Sequence, residues 1–231
     1  METKASEGRM GEWIELQASD GFKAKAWKAS PQGAPRGGIV VIQEIFGVNH
    51  HIRSVTDRFA AAGYLAIAPG IFDRVERDVE LNYDQAGMTQ GMGIAGKLDR
   101  HNMALDVAAA VAAAGAAGKV GIVGFCLGGS VAWVSAANVA SLSAAVGYYG
   151  GQIIASKDLK PKVPVMLHFG EKDDHIPLDG VKEVGALHPD VPIYLYPAGH
   201  GFHCDERASY DKDSAKLAWE RTLEFFAKHV G

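Results

Sequence analysis

The segment Lys119-Val-Gly-Ile-Val-Gly-Phe-Cys-Leu-Gly-Gly-Ser130 constrains the fold of this chain more than any other. An apolar run ends in glycine, a single cysteine follows, and two more glycines lead into an alanine-rich stretch of helical character, which reads as strand, sharp turn and helix. Gly124 and Gly128 bracket Cys126 with the spacing of a nucleophile elbow, in which missing Cβ atoms let strand and helix approach while the central residue takes a strained conformation. That turn pushes the Cys126 sulfur outward against a helix N-terminus. The roughly +0.5 elementary charge there favours thiolate over thiol and stabilises a developing oxyanion. The competing reading is a buried structural cysteine, a common fate of free thiols, so the elbow must find its partners elsewhere in the sequence.

The rest of the chain alternates strands with helices. Trp13 to Gln17 and Phe22 to Lys28 alternate apolar and polar residues around the turn Ser19-Asp20-Gly21, predicting an N-terminal β-hairpin over about 13–28. Ile39 to Ile42 is a continuous β-branched run of the kind buried on both faces of a parallel sheet. Asn49 caps a helix to about Ala62, and Tyr64 to Ala68 forms the next strand, stopped by Pro69. Gly70 to Gly96 is rich in glycine and charge, and is expected to be a long, partly irregular excursion over the sheet edge. Asp99 to Ala114 follows as a helix, then the elbow strand with its helix to about Val139, and strands at Leu142 to Tyr149 and Val163 to Phe169. Leu178 to Leu187 reads as helix and Val191 to Tyr196 as the last strand. Asp211 to Val230 places Ala215, Ala218, Trp219, Thr222, Leu223 and Phe226 on one helical stripe. The expectation is a single α/β domain over residues 1–231, a mostly parallel sheet with helices on both faces.

Composition excludes several classes of function. With 231 residues, 48% of them hydrophobic, the chain can fill the core of one domain. A formal charge of −4, from 23 basic and 27 acidic residues without a dense basic cluster, argues against nucleic acid as a partner. Two cysteines, Cys126 and Cys204, are too few for a small secreted disulfide framework. Met1 to Gly11 lacks the apolar core of a secretory leader, and no run approaches the ~18 apolar residues of a membrane span. A soluble, cytoplasmic protein is therefore expected, with no membrane partner.

A nucleophile at an elbow needs a base, and the base needs an orienting acid. Gly170-Glu-Lys-Asp-Asp-His-Ile-Pro177 follows a predicted strand and offers Asp173 and Asp174, which sequence physics alone does not separate; one would face inward while the other caps the next helix. Pro197-Ala-Gly-His-Gly-Phe202 follows the last strand and holds His200 between glycines, the candidate base. His175 and His203 read as ordinary polar loop residues, and His168, inside a strand, as a hydrogen-bonded core residue. No H-E-x-x-H or C-x-x-C spacing is present, so no metal is expected. Glu44 stands at the end of a buried strand. A carboxylate there is costly unless paired, either with a nearby arginine or as part of the chemistry at Cys126.

Gln43-Glu-Ile-Phe-Gly-Val-Asn49, Gly124-Phe-Cys-Leu-Gly-Gly129, Gly170 to Pro177 and Ala198-Gly-His-Gly-Phe202 together resemble the four signature segments of the dienelactone hydrolase (carboxymethylenebutenolidase) family. The likeness extends over nearly the whole chain from Gly38. It implies an α/β-hydrolase fold and a triad of Cys126, His200 and Asp173, the acid being the aspartate four residues before the loop proline. It further implies that Glu44 takes the thiol proton when substrate arrives and that the amides of Ile45 and Leu127 form the oxyanion hole. The substrate would carry a carboxylate held by arginines. Arg74 matches the first such position, and Arg207 stands for the second, although farther beyond His200 than the family pattern places it.

The choice of cysteine narrows the substrate on chemical grounds. A thiol, with a pKa of about 8.5, leaves a tetrahedral intermediate far more readily than an alkoxide does, so attack on a simple alkyl ester tends to revert. Activated acyl groups suit Cys126: enol lactones, whose leaving oxygen departs as a delocalised enolate, and likewise thioesters and aryl esters. Chemistry and resemblance agree on ring opening of an unsaturated lactone through an acyl-thioester. The resemblance implies dienelactone as substrate and maleylacetate as product, no cofactor is required, and a monomer or small homo-oligomer acting on a small carboxylate-bearing lactone or ester is expected. Two rivals stand beside this reading: a same-fold esterase or thioesterase with another activated substrate, and a non-catalytic protein whose Cys126 serves as a redox sensor.

Overall fold

In a computed structural model, residues 11–231 are described; the polar segment that the sequence offered as evidence against a leader falls mostly on residues 1–10, outside the described part. Strands β1 (Gly11–Gln17) and β2 (Lys23–Ala29) form the expected antiparallel hairpin, closed by a hydrogen bond from the Ala18 amide to the Phe22 carbonyl at 2.8 Å. Six more strands complete one sheet: β3 (Gly38–Ile42), β4 (Leu65–Pro69), β5 (Val120–Phe125), β6 (Leu142–Tyr148), β7 (Val165–Gly170) and β8 (Ile193–Tyr196). Their order is β1-β2-β4-β3-β5-β6-β7-β8, antiparallel as far as β2 against β4 and parallel from β4 onward. The chain reverses its direction of travel across the sheet around β3, and ligands of open α/β sheets bind outside the carboxyl ends of strands at such a point.

Every residue of β3 and β5 is buried, as expected of strands covered on both faces. Helix α1 (His50–Ala61) starts at Asn49, whose side chain accepts from the Ile52 amide at 3.2 Å. It meets the closing helix α7 (Lys212–His229) where the Phe59 ring lies 4.6 Å from that of Trp219 and 6.0 Å from that of Phe226. Helix α3 (Arg100–Ala114) packs on β3 and β4 through alanine and valine, while α4 (Leu127–Asn138) packs on β5 and β6.

The stretch Gly70 to Gly96 departs from its expected irregularity, because it contains helix α2 (Gln85–Ala95). Glycines at 87, 91 and 93 lower helix propensity and hide this helix from a periodicity search. The Asp84 side chain starts it by accepting from the Gly87 amide at 2.7 Å. Gly91 is required by proximity, since a Cβ there would strike the Ile45 carbonyl. Helix α2 is thereby pressed against the loop that follows β3. Two short helices, α5 (Gln152–Ala155) and α6 (Leu178–Leu187), complete the set.

Candidate active site

Cys126 joins β5 to α4 with φ +54° and ψ −113°, a conformation that costs a non-glycine residue on the order of 1–3 kcal/mol and persists only where its surroundings impose it. They do so here through backbone contact. A Cβ on Gly124 would collide with the Gly128 carbonyl, and one on Gly128 would collide with the carbonyls of Ile42 and Gln43, so β3, β5 and α4 pass one another at a distance only glycine permits. The Cys126 amide donates to the Tyr148 carbonyl at 3.0 Å, fixing the turn to the next strand. Its thiol is unpaired and partly exposed. Leu127, first residue of α4, has one of the N-terminal amides that find no acceptor within a helix.

Asp173 and His200 arrive from the loops after β7 and β8, at the same carboxyl ends of the sheet. His200 Nδ1 lies 2.7 Å from Asp173 Oδ2, and Asp173 Oδ1 accepts from the His175 amide at 2.9 Å. The carboxylate accepts at Nδ1, so that nitrogen carries the proton and Nε2 is left for chemistry. Burial disfavours the charged imidazole. The hydrogen bond to Asp173 and the nearby Cys126 sulfur outweigh it and push the His200 pKa up to about 10. For Asp173, burial likewise opposes the charge and the His200 bond prevails, holding the carboxyl below its usual range. Asp174 is exposed and does not cap α6 as expected, because that helix begins after Pro177 without a side-chain cap.

Glu44 is fully buried at the end of β3. Tyr83 donates its hydroxyl to Oε2 at 2.7 Å, and Arg207 donates from Nη1 to Oε1 at 3.2 Å. The Arg207 guanidinium also lies 5.7 Å from the ring centroids of both Phe46 and Tyr83. Burial would lower the Arg207 pKa, but the surrounding Glu44, Tyr149 and Cys126 hold it above the ordinary arginine value, which places these groups within one electrostatic neighbourhood.

Residues 24–230 match the Dienelactone hydrolase family. This chain belongs to that family. The dienelactone hydrolase family member is 34% identical over 229 residues to a carboxymethylenebutenolidase of Pseudomonas putida, an alignment covering 94% of this chain and 96% of that one. Among solved structures it superposes on a chain of Klebsiella pneumoniae subsp. pneumoniae MGH 78578, provisionally named a dienelactone hydrolase, with a TM-score of 0.82, 31% identity and coverage of 95% and 99%. A dienelactone hydrolase-like promiscuous phosphotriesterase from metagenomic libraries shares the fold, with a TM-score of 0.77 at 23% identity, covering 96% of this chain and 100% of that one. The fold is that of the α/β-hydrolases, and the protein is a hydrolase of esters.

Two residues of the family member have partners that the sequence did not announce. Arg74, expected at the substrate carboxylate, is engaged with two aspartates. Its Nε and Nη2 donate to Asp106 at 2.8 Å each, its Nη1 and Nη2 donate to Asp20 at 2.7 and 3.1 Å, and its guanidinium stacks over Phe22 at 4.2 Å. Asp106 is buried on α3 and needs a cation, and Arg74 supplies it while clamping the β1–β2 turn to that helix. His203, expected as a polar loop residue, is buried with neither ring nitrogen hydrogen-bonded, stacked on Phe125 at 5.2 Å. Phe202 and His203 turn inward together beneath the elbow. His168 meets expectation, bonded to the hydroxyls of Tyr196 at 2.8 Å and Thr222 at 3.2 Å.

Sequence reasoning did not single out Tyr83, Tyr149 or Cys204 for the site. Tyr149 has φ +37° and a buried hydroxyl without a partner, and its ring centroid lies 5.1 Å from that of His200. Cys204 is a buried free thiol whose pKa is pushed up to about 12, first by burial and then by Glu44. The paired tyrosines of Tyr148-Tyr-Gly150 and the Cys204 side chain give no spacing signal, because only the packing of β6 and the β8 loop around Cys126 makes them neighbours. His51, Cys204 and Asp205 bring three donors within 4.8 Å of one another, the group among the described residues with the composition of a metal site, and the bond between His51 Nδ1 and Asp205 at 3.1 Å accounts for two of them. Among the described residues no helix is long and apolar enough to cross a membrane.

Proposed function

We propose that this chain opens carboxylate-bearing enol lactones of the dienelactone type through a cysteine acyl-enzyme. The observation that carries the reading is Cys126 on a strained elbow whose sulfur shares its surroundings with a His200–Asp173 pair. In the proposed cycle Glu44 removes the Cys126 proton as substrate arrives, and the thiolate attacks the lactone carbonyl while the amides of Ile45 and Leu127 hold the oxyanion. The ring C–O bond breaks, the enolate takes a proton from the His200 imidazolium, and an acyl-thioester remains. Water then loses a proton to neutral His200 as it attacks, the S–C bond breaks to release the acid and leave a thiolate beside the imidazolium, and Glu44 gives its proton back to the thiolate, restoring the starting thiol. The product of dienelactone would be maleylacetate, and Arg207 would hold the substrate carboxylate.

A second reading is favoured by the engagement of Arg74 with Asp106 and Asp20, which leaves Arg207 as the arginine near Cys126 for an anionic substrate. An esterase or thioesterase acting on a less charged activated acyl group would need no second arginine. Loss of ultraviolet absorbance of cis- and trans-dienelactone, followed with wild type and with Cys126→Ala beside an uncharged aryl ester, separates the two. Rapid consumption of dienelactone that the variant lacks supports lactone opening. Turnover of the aryl ester alone, again lost in the variant, selects the esterase.

A further inference from the structure

Tyr83 lies in the segment between β4 and α2, and that segment is fastened to the loop carrying Glu44. Gly47 and Glu80 form an antiparallel bridge, the Leu81 amide donates to the Phe46 carbonyl at 2.9 Å, and Asn49 Nδ2 donates to the Leu81 carbonyl at 3.4 Å. Asp84 then starts α2, so Tyr83 is held between two anchored points. Its ring packs on Phe46 with centroids 4.5 Å apart, and its hydroxyl reaches the buried Glu44 carboxylate.

Among the described residues the groups around Glu44 come from three parts of the chain: Tyr83 before α2, Arg207 and Cys204 from the loop after β8, and Tyr149 after β6; Arg207 is in turn a neighbour of Cys126 at the elbow. His51 in turn lies beside Tyr83, with ring centroids 6.3 Å apart. Burial keeps the Cys204 thiol and the Tyr149 hydroxyl protonated, and the Tyr149 hydroxyl makes no hydrogen bond among the described residues. Among the described residues Arg207 and Tyr83 are therefore the two side-chain donors that offset desolvation of the carboxylate. We propose that Tyr83 is a positioning residue that holds and aims the Glu44 carboxylate for its task as base, acting through the hydroxyl bond to Oε2. The proposal rests on the reading of Glu44 as the base for Cys126. Burial, then Glu44 and Cys204, raise the Tyr83 pKa further, so its hydroxyl remains a donor over the whole working range. In the unliganded enzyme Arg207 would supply the counter-charge and Tyr83 a neutral donor, and a substrate anion would compete for the first but not for the second.

The test uses Tyr83→Phe, which preserves the ring contact with Phe46, beside Glu44→Gln. The Glu44 carboxyl titration is followed by carbon NMR of the δ-carbon, assigned by its loss in Glu44→Gln, and the pH profile of kcat/KM is taken with p-nitrophenyl acetate. The expected result is a Glu44 titration raised by about one to two pH units in Tyr83→Phe, with the acid limb of the rate profile moving equally and the plateau at higher pH retained. A Glu44 titration unchanged in Tyr83→Phe overturns the proposal, as does a uniform loss of rate with the limb unmoved. A raised titration in Tyr83→Phe combined with a Glu44→Gln enzyme of wild-type rate and profile overturns the reading of Glu44 as base, and with it the catalytic half of the proposal.

Discussion

Asp173 holds His200 with both of its oxygens committed, Oδ2 at 2.7 Å from the ring Nδ1 and Oδ1 on the His175 amide at 2.9 Å. The carboxylate cannot swing away from the ring without breaking a second bond. The imidazole therefore keeps one orientation and one tautomer, which is the role of an orienting acid. Because the bond is to a side chain closed to solvent, it is little screened.

Replacing Asp173 with Asn should lower kcat/KM for an activated ester by roughly 10²–10⁴-fold, since the amide can present its N–H side to Nδ1 and stabilise the wrong tautomer. Asp174→Asn, at the exposed neighbouring position, should leave the rate unchanged. Steady-state kinetics on the two variants decide between these carboxylates.

The same pair should shape stability at high pH. The folded-state pKa of His200 is raised, so its contribution is complete below the unfolded value of about 6.5 and is lost as pH rises through about 10. Asp173 has the opposite sign: its contribution is present above about 3.9 and fades on acidification. The difference in urea midpoint between wild type and His200→Gln should thus be widest between about pH 4 and 6.5, narrow as pH rises from there, and close above about pH 10.

Acid should unfold the protein through its buried neutral histidines. His168 is lowered to about 3 by burial and then by Arg221, and His203 is held well below the ordinary imidazole range by burial, then by Arg58 and its histidine neighbours. Below about pH 6.5 the unfolded chain binds protons that these rings refuse, so stability falls on acidification by up to about 1.4 kcal/mol per pH unit for each ring, for His168 down to about pH 3. His203→Phe keeps a ring against Phe125 and should flatten this slope by one proton, measured from urea midpoints at pH 4 to 7.

Gly128→Ala should cost more than about 2 kcal/mol and abolish turnover, because its Cβ would displace the Ile42 and Gln43 carbonyls that anchor the segment leading to Glu44. Gly93→Ala, where nothing lies near the added methyl, serves as control and should leave the protein as stable or slightly more so. Thermal melts and aryl-ester assays on both variants check this.

Arg74 and Arg207 should separate stability from activity. Arg74→Gln leaves Asp106 buried without its cation and should lower stability by on the order of 2 kcal/mol, with KM for an anionic substrate unchanged. Arg207→Gln should instead raise KM for an anionic lactone more than for an uncharged aryl ester.

Much of this protein was fixed by local physics. The β-branched run at Ile39 to Ile42 and the apolar run before Cys126 can be buried only as central strands, and Asn49, Gly124 and Gly128 specify a cap and an elbow through backbone geometry that no distant residue needs to supply. The order of Cys126, Asp173 and His200 along the chain, each in a loop after a strand, follows from the same patterns. Tertiary structure decided what distance in sequence conceals. Helix α2 forms although its glycines disfavour it, because Asp84 caps it and Gly91 lets it close on Ile45. Arg74 is engaged by Asp106, a buried carboxylate 32 residues distant whose need for a cation no local pattern announces. His203 turns inward because the rings of Phe125 and Trp219 give it aromatic neighbours that no loop residue can announce. Tyr83 is 39 residues from Glu44, and the two meet only because the bridge from Gly47 to Glu80 draws their segments together; a hydrogen bond to a buried charge depends on position within tenths of an ångström, and only the packed fold fixes position that finely.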